Sequence, residues 1–123
     1  MNVALDFDGL LHHDNGPWSG VSHIPGPAVE GALDFIRELW RAGHEVVVYT
    51  CRALAPEGAE AVRAWLTAQL GEPAPDVVGT KPIAHLYIDD RGFRFEGSFP
   101  SMSEVDRLCH RTWTRGHDPA EVD

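Results

Sequence analysis

The sequence predicts an α/β fold in which a parallel sheet is covered by helices on both faces, giving three layers. Short β-branched runs alternate along the chain with segments in which apolar residues recur at helical spacing. Alternation of this kind favours parallel strands joined by crossover helices. The chain has 123 residues, which suits one domain. We expect residues 1–115 to form that domain and residues 116–123 to form a flexible tail.

Four strands are predicted from short apolar runs, over residues 2–7, 45–50, 76–78 and 84–88. The second run, EVVVYT, is β-branched, as expected for a buried strand. The stretch GFRFEGSF, residues 92–99, predicts a tight hairpin. Residues 9–27 are rich in Gly, Pro, His, Asn and Ser, which indicates a long loop with a small hairpin around Gly16 and Pro17.

Three helices are predicted from apolar residues at helical spacing, over residues 28–42, 56–70 and 103–114. We expect Pro27 in the first turn of the first helix and Gly43 just past its end, because proline suits helix starts and glycine suits helix ends. Gly71 is expected to end the second helix in the same way. Trp40 and Trp65 lie on apolar helix faces, so we expect both to belong to the core.

The composition argues against several classes of function. The net charge is −9, and a uniformly acidic balance disfavours general binding to nucleic acid, whose affinity comes mainly from neutralised phosphates. No apolar stretch approaches the roughly 20 residues of a membrane span, and the N-terminus lacks a signal-peptide pattern. Cys51 and Cys109 have no metal-ligand spacing and are predicted to be free thiols. We therefore expect a cytoplasmic protein without membrane contact.

Acidic side chains gather at the predicted strand ends. In a parallel sheet, ligands bind just beyond the carboxyl ends of the strands. That edge would bring together Asp6, Asp8, Thr50, Cys51, Arg52, Asp89 and Asp90. Four clustered carboxylates would raise each other's pKa and cost stability unless a cation lies among them. Carboxylate oxygens with room for water and phosphate are the ligands that Mg²⁺ prefers. For Asp6 and Asp8 alone, a solvated turn is the alternative.

The same residue types can transfer a phosphoryl group. A carboxylate can act as a nucleophile and form an aspartyl-phosphate. A second carboxylate can give a proton to the leaving group and later take one from water. A hydroxyl, together with a lysine or arginine, can stabilise the charge on the transferring oxygens. Lys81, before the last predicted strand, is one such cation.

Four motifs, in order along the chain, resemble those of the haloacid dehalogenase superfamily, most of whose members are magnesium-dependent phosphatases. The stretch DFDGL, residues 6–10, resembles the first motif, although Leu10 stands where that motif has Thr or Val. Thr50, which closes EVVVYT, resembles the second motif, and Lys81 resembles the third. The stretch YIDD, residues 87–90, resembles the fourth. The resemblance covers roughly the whole chain and implies a Rossmann-like fold.

The resemblance implies a role for each matching residue. Asp6 would be the nucleophile, and Asp8 would be the general acid and base, with its backbone carbonyl on Mg²⁺. Thr50 would hydrogen-bond the phosphoryl group, and Lys81 would neutralise charge around Asp6. The implied metal site comprises Asp6, Asp8, Asp89 and Asp90. Dehalogenase activity is disfavoured, since Asp8 supplies the acid and base that phosphoryl transfer uses.

Two stretches narrow the resemblance. TCR, residues 50–52, and IDDR, residues 88–91, resemble the phosphatase domain of phage-type polynucleotide kinase-phosphatases, in which the matching arginine contacts substrate phosphate. The gaps in which the superfamily inserts caps are short here, which implies a capless enzyme with a short flap hairpin in residues 9–27. No GxxxxGK[ST] stretch occurs, so no kinase half is expected. The expected substrate contacts are Gly9, His12, His13, Trp18, His23 and Arg52.

The substrate stays open between a nucleotide, a sugar phosphate and a nucleic-acid end phosphate. The arginines at 107, 111 and 115 form a stripe on the last predicted helix, which could assist a polyanion or simply be a solvated face. A partner subunit could close an open, capless site, so a homodimer is one possibility.

Other interpretations compete with the enzyme. A non-catalytic binding or regulatory domain on the same scaffold is the main alternative, because fold does not determine function. A response-regulator receiver also gathers acids, threonine and lysine, but its paired acids come early and its lysine comes last. Zinc binding by His12, His13 and His23 matches no established zinc spacing. Cys51 lacks a base partner and is assigned to packing at the strand end.

Overall fold

The computed structural model describes residues 1–13 and 17–113, so the predicted tail lies outside the described residues. Within these ranges the chain forms an α/β domain with an all-parallel sheet, which confirms the predicted fold class at this level. Its elements are β1 (Asn2–Asp6), α1 (Ala32–Arg41), β2 (Glu45–Tyr49), a 3-10 helix (Cys51–Leu54), α2 (Pro56–Leu70), β3 (Asp76–Val78), β4 (Leu86–Ile88) and α3 (Met102–Trp113).

The sheet has the strand order β3-β2-β1-β4, which places β1 between β2 and β4. Asp6 at the end of β1 lies opposite Tyr49 of β2, and Leu5 lies opposite Ile88 of β4. The residues that follow β1, β2 and β4 therefore emerge side by side at the carboxyl edge. This position for the acidic residues follows directly from the parallel register.

The core lies on one face of the sheet. Val3 and Leu5 of β1 point to this face together with Val46 and Val48 of β2, and the buried residues of α1 and α2 pack onto them. Both helices cover the same face because right-handed crossovers lead from β1 to β2 and from β2 to β3 in one direction. No described side chain of α3 belongs to this core. A second helical layer on the opposite face therefore stays a prediction.

The predicted start of α1 is wrong. The helix begins at Ala32 rather than at residue 28, because the preceding residues pair with the loop instead. His13 N donates a hydrogen bond to the Pro27 carbonyl at 3.0 Å, and Val29 N donates to the Leu11 carbonyl at 2.8 Å. Pro27 is thus in extended pairing and not in the first helical turn. The predicted end is confirmed, since Gly43 follows α1 with a positive φ of 86°.

The hairpin predicted over residues 92–99 does not form. This segment contains no strand, and Phe95 and Phe99 instead pack their rings together with centroids 4.9 Å apart. β4 is also shorter than predicted, covering Leu86–Ile88. The ladder between β4 and β1 covers only Leu86–Ile88, and no further strand among the described residues pairs with β4.

The loop between β1 and α1 forms single bridges rather than a strand pair in its described part. His12 bridges to Asp8 in parallel and to Ala28 in antiparallel orientation. The predicted turn at Gly16 lies outside the described residues. Among the described residues neither Cys51 nor Cys109 forms a disulfide, and Cys51 is exposed rather than packed at the strand end as predicted. None of the helices in the described part of the chain has the length and apolar character needed to cross a bilayer.

Candidate active site

Three adjacent strand ends carry the residues of the candidate site. Asp6 ends the central strand β1, Thr50 follows β2, and Asp89 with Asp90 follows β4. Asp8 comes two residues after Asp6, where the chain enters the loop. The structure therefore brings together the predicted residues from these three strands, as the strand order requires.

Asp6 is a partly buried carboxyl whose charge is disfavoured. Burial raises the pKa of Asp6 from its ordinary value near 3.8 to about 7, and a hydrogen bond with Asp90 and the charges of Asp90 and Asp89 act in the same direction. The backbone N–H of Phe7 opposes this shift by donating to Asp6 Oδ1 at 2.9 Å. A positive charge at this place would relieve the cost of the anion.

Gly9 makes room for the Asp90 carboxyl. Gly9 has a φ of +87°, in the left-handed region that favours glycine, and a Cβ at this position would overlap Asp90 Oδ2. Asp90 therefore lies directly against the backbone that separates Asp6 from the loop. Any side chain at position 9 would displace one of the carboxyls that surround Asp6.

Asp89 holds the turn that follows β4. Its Oδ1 accepts hydrogen bonds from the backbone N–H groups of Arg91, at 2.9 Å, and of Gly92. Its Oδ2 accepts a long hydrogen bond from the Tyr49 hydroxyl at 3.4 Å. Burial raises the pKa of Tyr49 to about 12, helped by the charges of Asp89 and Asp6, so the hydroxyl remains a donor. Asp89 and Asp90 are thus not equivalent: Asp90 approaches Asp6 and Gly9, and Asp89 organises the backbone.

Asp8 is fixed by two buried side chains. Arg52 donates from Nε to Asp8 Oδ2 at 2.7 Å and from Nη2 to Asp8 Oδ1 at 3.2 Å, a two-pronged ion pair with an arginine that is only 3% exposed. His12 adds a contact from Nδ1 to Asp8 Oδ1 at 3.0 Å. These contacts hold the Asp8 carboxylate in one orientation.

The surroundings of His12 define its tautomer. The backbone N–H of Gly26 donates to Nε2 at 2.9 Å, so Nε2 is the acceptor and Nδ1 carries the proton that it donates to Asp8. The ring stacks on Phe7, with centroids 5.5 Å apart, and meets the edge of Trp65. Both ring nitrogens therefore bind protein atoms, and the substrate contact predicted for His12 would need one of these bonds to break.

Arg52 also ties the loop to the site. Its Nη1 donates to the backbone carbonyls of Gly20, Val21 and His23, at 3.1, 2.9 and 3.1 Å. These contacts and the ion pair with Asp8 occupy most of its five N–H groups. Arg52 thus holds Asp8 and the loop together, and its predicted contact with substrate phosphate stays a prediction.

The structure places Thr50 among the residues of the candidate site, but it places the Lys81 ammonium over an aromatic ring and not beside Asp6. Thr50 is buried, and its Oγ1 accepts a hydrogen bond from the backbone N–H of Arg52 at 3.2 Å, which begins the 3-10 helix. Its hydroxyl proton finds no acceptor among the described residues. Lys81 instead places its ammonium over the Tyr87 ring, 4.2 Å from the centroid. No ion pair joins Lys81 to Asp6.

The loop forms a small pocket next to this network. The pocket has a volume of about 270 Å³, and its described lining is mostly aromatic, imidazole and proline side chains. Arg52 and His12, the two partners of Asp8, form part of its wall. The predicted substrate contacts His13, Trp18 and His23 also line it, so the structure brings together three loop residues that the sequence separates.

Sequence reasoning missed the partners of Asp8 and the role of Tyr49. The strand-end rule placed Arg52 at the same edge as Asp8, but it did not predict the ion pair between them. The contact between His12 and Asp8 is the one that the sequence could have suggested, because His12 follows Asp8 by only four residues. For Tyr49 the sequence offered only its position as the last residue of β2, directly before Thr50.

The donor set fits magnesium in its chemistry. Asp6 and Asp90 offer hard carboxylate oxygens in contact with each other, and Mg²⁺ is usually bound by one or two carboxylates with water and phosphate completing its shell. No three His, Cys, Asp or Glu side chains in the described ranges converge on one point. A magnesium ion needs no such group, so the two carboxylates beside Gly9 are its best-placed side-chain ligands.

Comparison with known proteins adds no assignment: no family model, no curated protein and no solved structure matches the chain significantly.

Proposed function

We propose that this chain is a magnesium-dependent phosphatase of the haloacid dehalogenase type, which hydrolyses a phosphomonoester through an aspartyl-phosphate. The observation that carries the proposal is the meeting of Asp6 and Asp90 beside Gly9, at the carboxyl end of the central strand, with Thr50 on the neighbouring strand end. A half-buried carboxyl crowded by two others is costly unless it serves a cation or a reaction.

In the first step, a carboxylate oxygen of Asp6 attacks phosphorus while the bond from phosphorus to the leaving-group oxygen breaks. Asp8 gives its proton to that oxygen, so the leaving group departs as an alcohol. Arg52 and His12 orient Asp8 for this transfer, and among the described residues they leave one lone pair on Oδ2 without a donor.

In the second step, Asp8 takes a proton from water as the water oxygen attacks phosphorus. The bond from phosphorus to Asp6 breaks, inorganic phosphate leaves, and the Asp6 carboxylate is restored. The hydroxyl of Thr50 is available to donate to the phosphoryl oxygens in both steps.

Asp6, Asp90 and the backbone carbonyl of Asp8 would hold Mg²⁺, with Asp89 supporting the turn. Bound there, the ion supplies positive charge that favours the Asp6 anion and offsets the charge of the phosphoryl oxygens. Lys81 would have to leave the Tyr87 ring to reach Asp6, which its exposed position allows. The substrate would be a nucleotide, a sugar phosphate or a nucleic-acid end phosphate, and a homodimer and a cytoplasmic location stay predictions.

A non-catalytic binding or regulatory domain is the second candidate. The position of Lys81 favours it, because the cation expected beside Asp6 lies on an aromatic ring instead. The close ion pair of Asp8 with Arg52 favours it too, since it holds the carboxylate in a purely structural contact.

Hydrolysis of an aryl phosphate by the purified chain separates the two candidates. We expect turnover with Mg²⁺, loss of turnover with a chelator, and a loss of at least about a hundredfold in Asp6→Asn, the usual scale for removing a catalytic group. Asp34→Asn, which changes an exposed acid on α1, is the matched control and should keep full activity. Turnover that survives Asp6→Asn rejects the mechanism, and no turnover on a broad panel of phosphate esters supports the binding domain.

A further inference from the structure

The loop pocket contains a half-exposed tryptophan beside the partners of Asp8. Trp18 is 53% exposed, and one side of its ring lies over the Arg52 guanidinium, with Cζ 4.5 Å from the ring centroid. Because Arg52 is locked by Asp8 and by three backbone carbonyls, it holds this part of the Trp18 surface in place. About half of the Trp18 surface is left open to solvent and to the pocket that this residue lines.

The polar groups in the pocket lining bear on whether the substrate presents a base or a sugar to it. None of its described lining residues is acidic, although the chain has 19 Asp and Glu residues among 123. It also contains no Asn or Gln in the described lining. Sugar hydroxyls are usually recognised by carboxylates and amides, which the described part of the lining does not offer.

A planar heteroaromatic ring fits the same lining well. Trp18 and the proline rings offer flat apolar surfaces, and the imidazoles of His13 and His23 offer donors and acceptors at the rim. Bases stack readily on aromatic side chains and on guanidinium planes. The volume of about 270 Å³ is at the lower end for ligand pockets, which suits one ring system and not a large ligand.

The place of the pocket matches the leaving-group side of the proposed reaction. Asp8 would protonate the leaving oxygen, and Asp8 is separated from the pocket only by Arg52 and His12, which contact both. A leaving group held at Asp8 would therefore extend toward the loop. Apart from its histidines, the described lining has one charged side chain, Arg52, and the ion pair with Asp8 offsets that charge.

We infer that this pocket binds the nucleobase of a nucleoside monophosphate, and that Trp18 determines the preference for such substrates over sugar phosphates. The inference rests on the proposed function for the reaction, but the binding of a base to the pocket is separate from turnover. Two experiments keep them apart.

The first experiment measures binding without chemistry. Titration of the ¹⁵N-labelled wild-type chain with adenosine should shift the indole N–H signal of Trp18, one of four tryptophans, identified by its loss in Trp18→Phe. Ribose 5-phosphate should leave that signal in place. This result is expected even if the chain is not a phosphatase. If adenosine leaves the Trp18 signal unmoved, or if ribose 5-phosphate moves it equally, the inference is overturned.

The second experiment measures preference in the active enzyme. The ratio of kcat/KM for adenosine monophosphate to that for ribose 5-phosphate should be high in the wild type and should fall about tenfold in Trp18→Leu, on the scale of one lost base–aromatic stack. Phe99→Leu, a change of an exposed aromatic residue outside the pocket, is the control and should keep the ratio. A ratio that Trp18→Leu does not lower contradicts the assignment of Trp18.

Discussion

At the scale of single residues, the two aspartates at the end of β1 have different surroundings. Asp6 is crowded by acids and half buried, whereas Asp8 is neutralised by Arg52 and held by His12. The two carboxylates are therefore not equivalent: Asp6 needs a cation to ionise, and Asp8 already lies against one, the Arg52 guanidinium.

The raised pKa of Asp6 predicts a pH-dependent stability. Because the folded-state pKa of about 7 exceeds the ordinary value near 3.8, ionised Asp6 destabilises the fold: the penalty is absent below pH 3.8, grows up to pH 7 and is full above it. Roughly 4 kcal/mol is an upper bound from the size of the shift. Without divalent cations, Asp6→Asn should therefore be more stable than the wild type above pH 7 and no more stable near pH 3.8.

Urea unfolding across this range measures the effect, with Asp34→Asn as the control for loss of an exposed charge. Addition of Mg²⁺ above pH 7 should raise the stability of the wild type more than that of Asp6→Asn. Parallel stability curves for the wild type and Asp6→Asn, with no convergence at low pH, would show that Asp6 is not the strained carboxyl.

Gly9 offers a second test at this scale. In Gly9→Ala, the new Cβ costs about 1–2 kcal/mol for the left-handed backbone and also displaces the Asp90 carboxyl. Phosphatase activity should fall at least about tenfold, as expected when ligands of a catalytic metal are moved. Gly31→Ala is a close control, because Gly31 has a φ of +84° and nothing lies near its added Cβ. Equal activity in the two variants would separate Asp90 from catalysis.

At the scale of elements, the sequence predicted the helix boundaries that are determined by residues within the same segment. α2 has the predicted bounds because Pro56 begins it and Gly71 ends it, both within the segment itself. α1 starts late because Leu11 and His13 pair with its approach, a contact that no local pattern contains. The three strand ends were predictable from the parallel sheet alone. The orientation of Asp8 was not predictable, since it depends on the two side-chain contacts with Arg52 and not only on their shared edge of the sheet.

The loop between β1 and α1 depends on Arg52, which predicts its response to Arg52→Lys. Lysine keeps the charge but cannot make the two-pronged contact with Asp8 together with three carbonyl contacts. We expect a loss of about 2–4 kcal/mol in unfolding free energy. We also expect faster chymotrypsin cleavage after Trp18, because the loop opens more often.

Arg37→Lys is the matched control, since Arg37 forms only an exposed ion pair with Asp34 and a long contact to the Gln69 carbonyl. Cleavage after Trp18 is identified by mass spectrometry of the fragments. If Arg52→Lys and Arg37→Lys are cleaved at the same rate, the loop is held by contacts other than those of Arg52.

At the scale of the whole molecule, the charge balance and the pocket act together on the choice of substrate. The chain has 19 acidic and 10 basic residues, so its long-range field repels polyanions. The loop pocket admits a single ring system and has no acidic residue in its described lining. A short phosphate ester meets only the pocket and the strand ends, whereas a long nucleic acid also meets the acidic surface.

These two features predict how activity depends on substrate length and on salt. A 3′-phosphorylated oligonucleotide should be hydrolysed with a kcat/KM no higher than that of the matching nucleoside 3′-monophosphate. Because like charges repel and salt screens them, kcat/KM for the oligonucleotide should rise with ionic strength, while that for the mononucleotide should change little. Initial rates over a salt series, with both substrates carrying the same terminal base, give the comparison. A steep fall of the oligonucleotide rate with salt would instead reveal several phosphate contacts, and the physiological substrate would then be a nucleic-acid end.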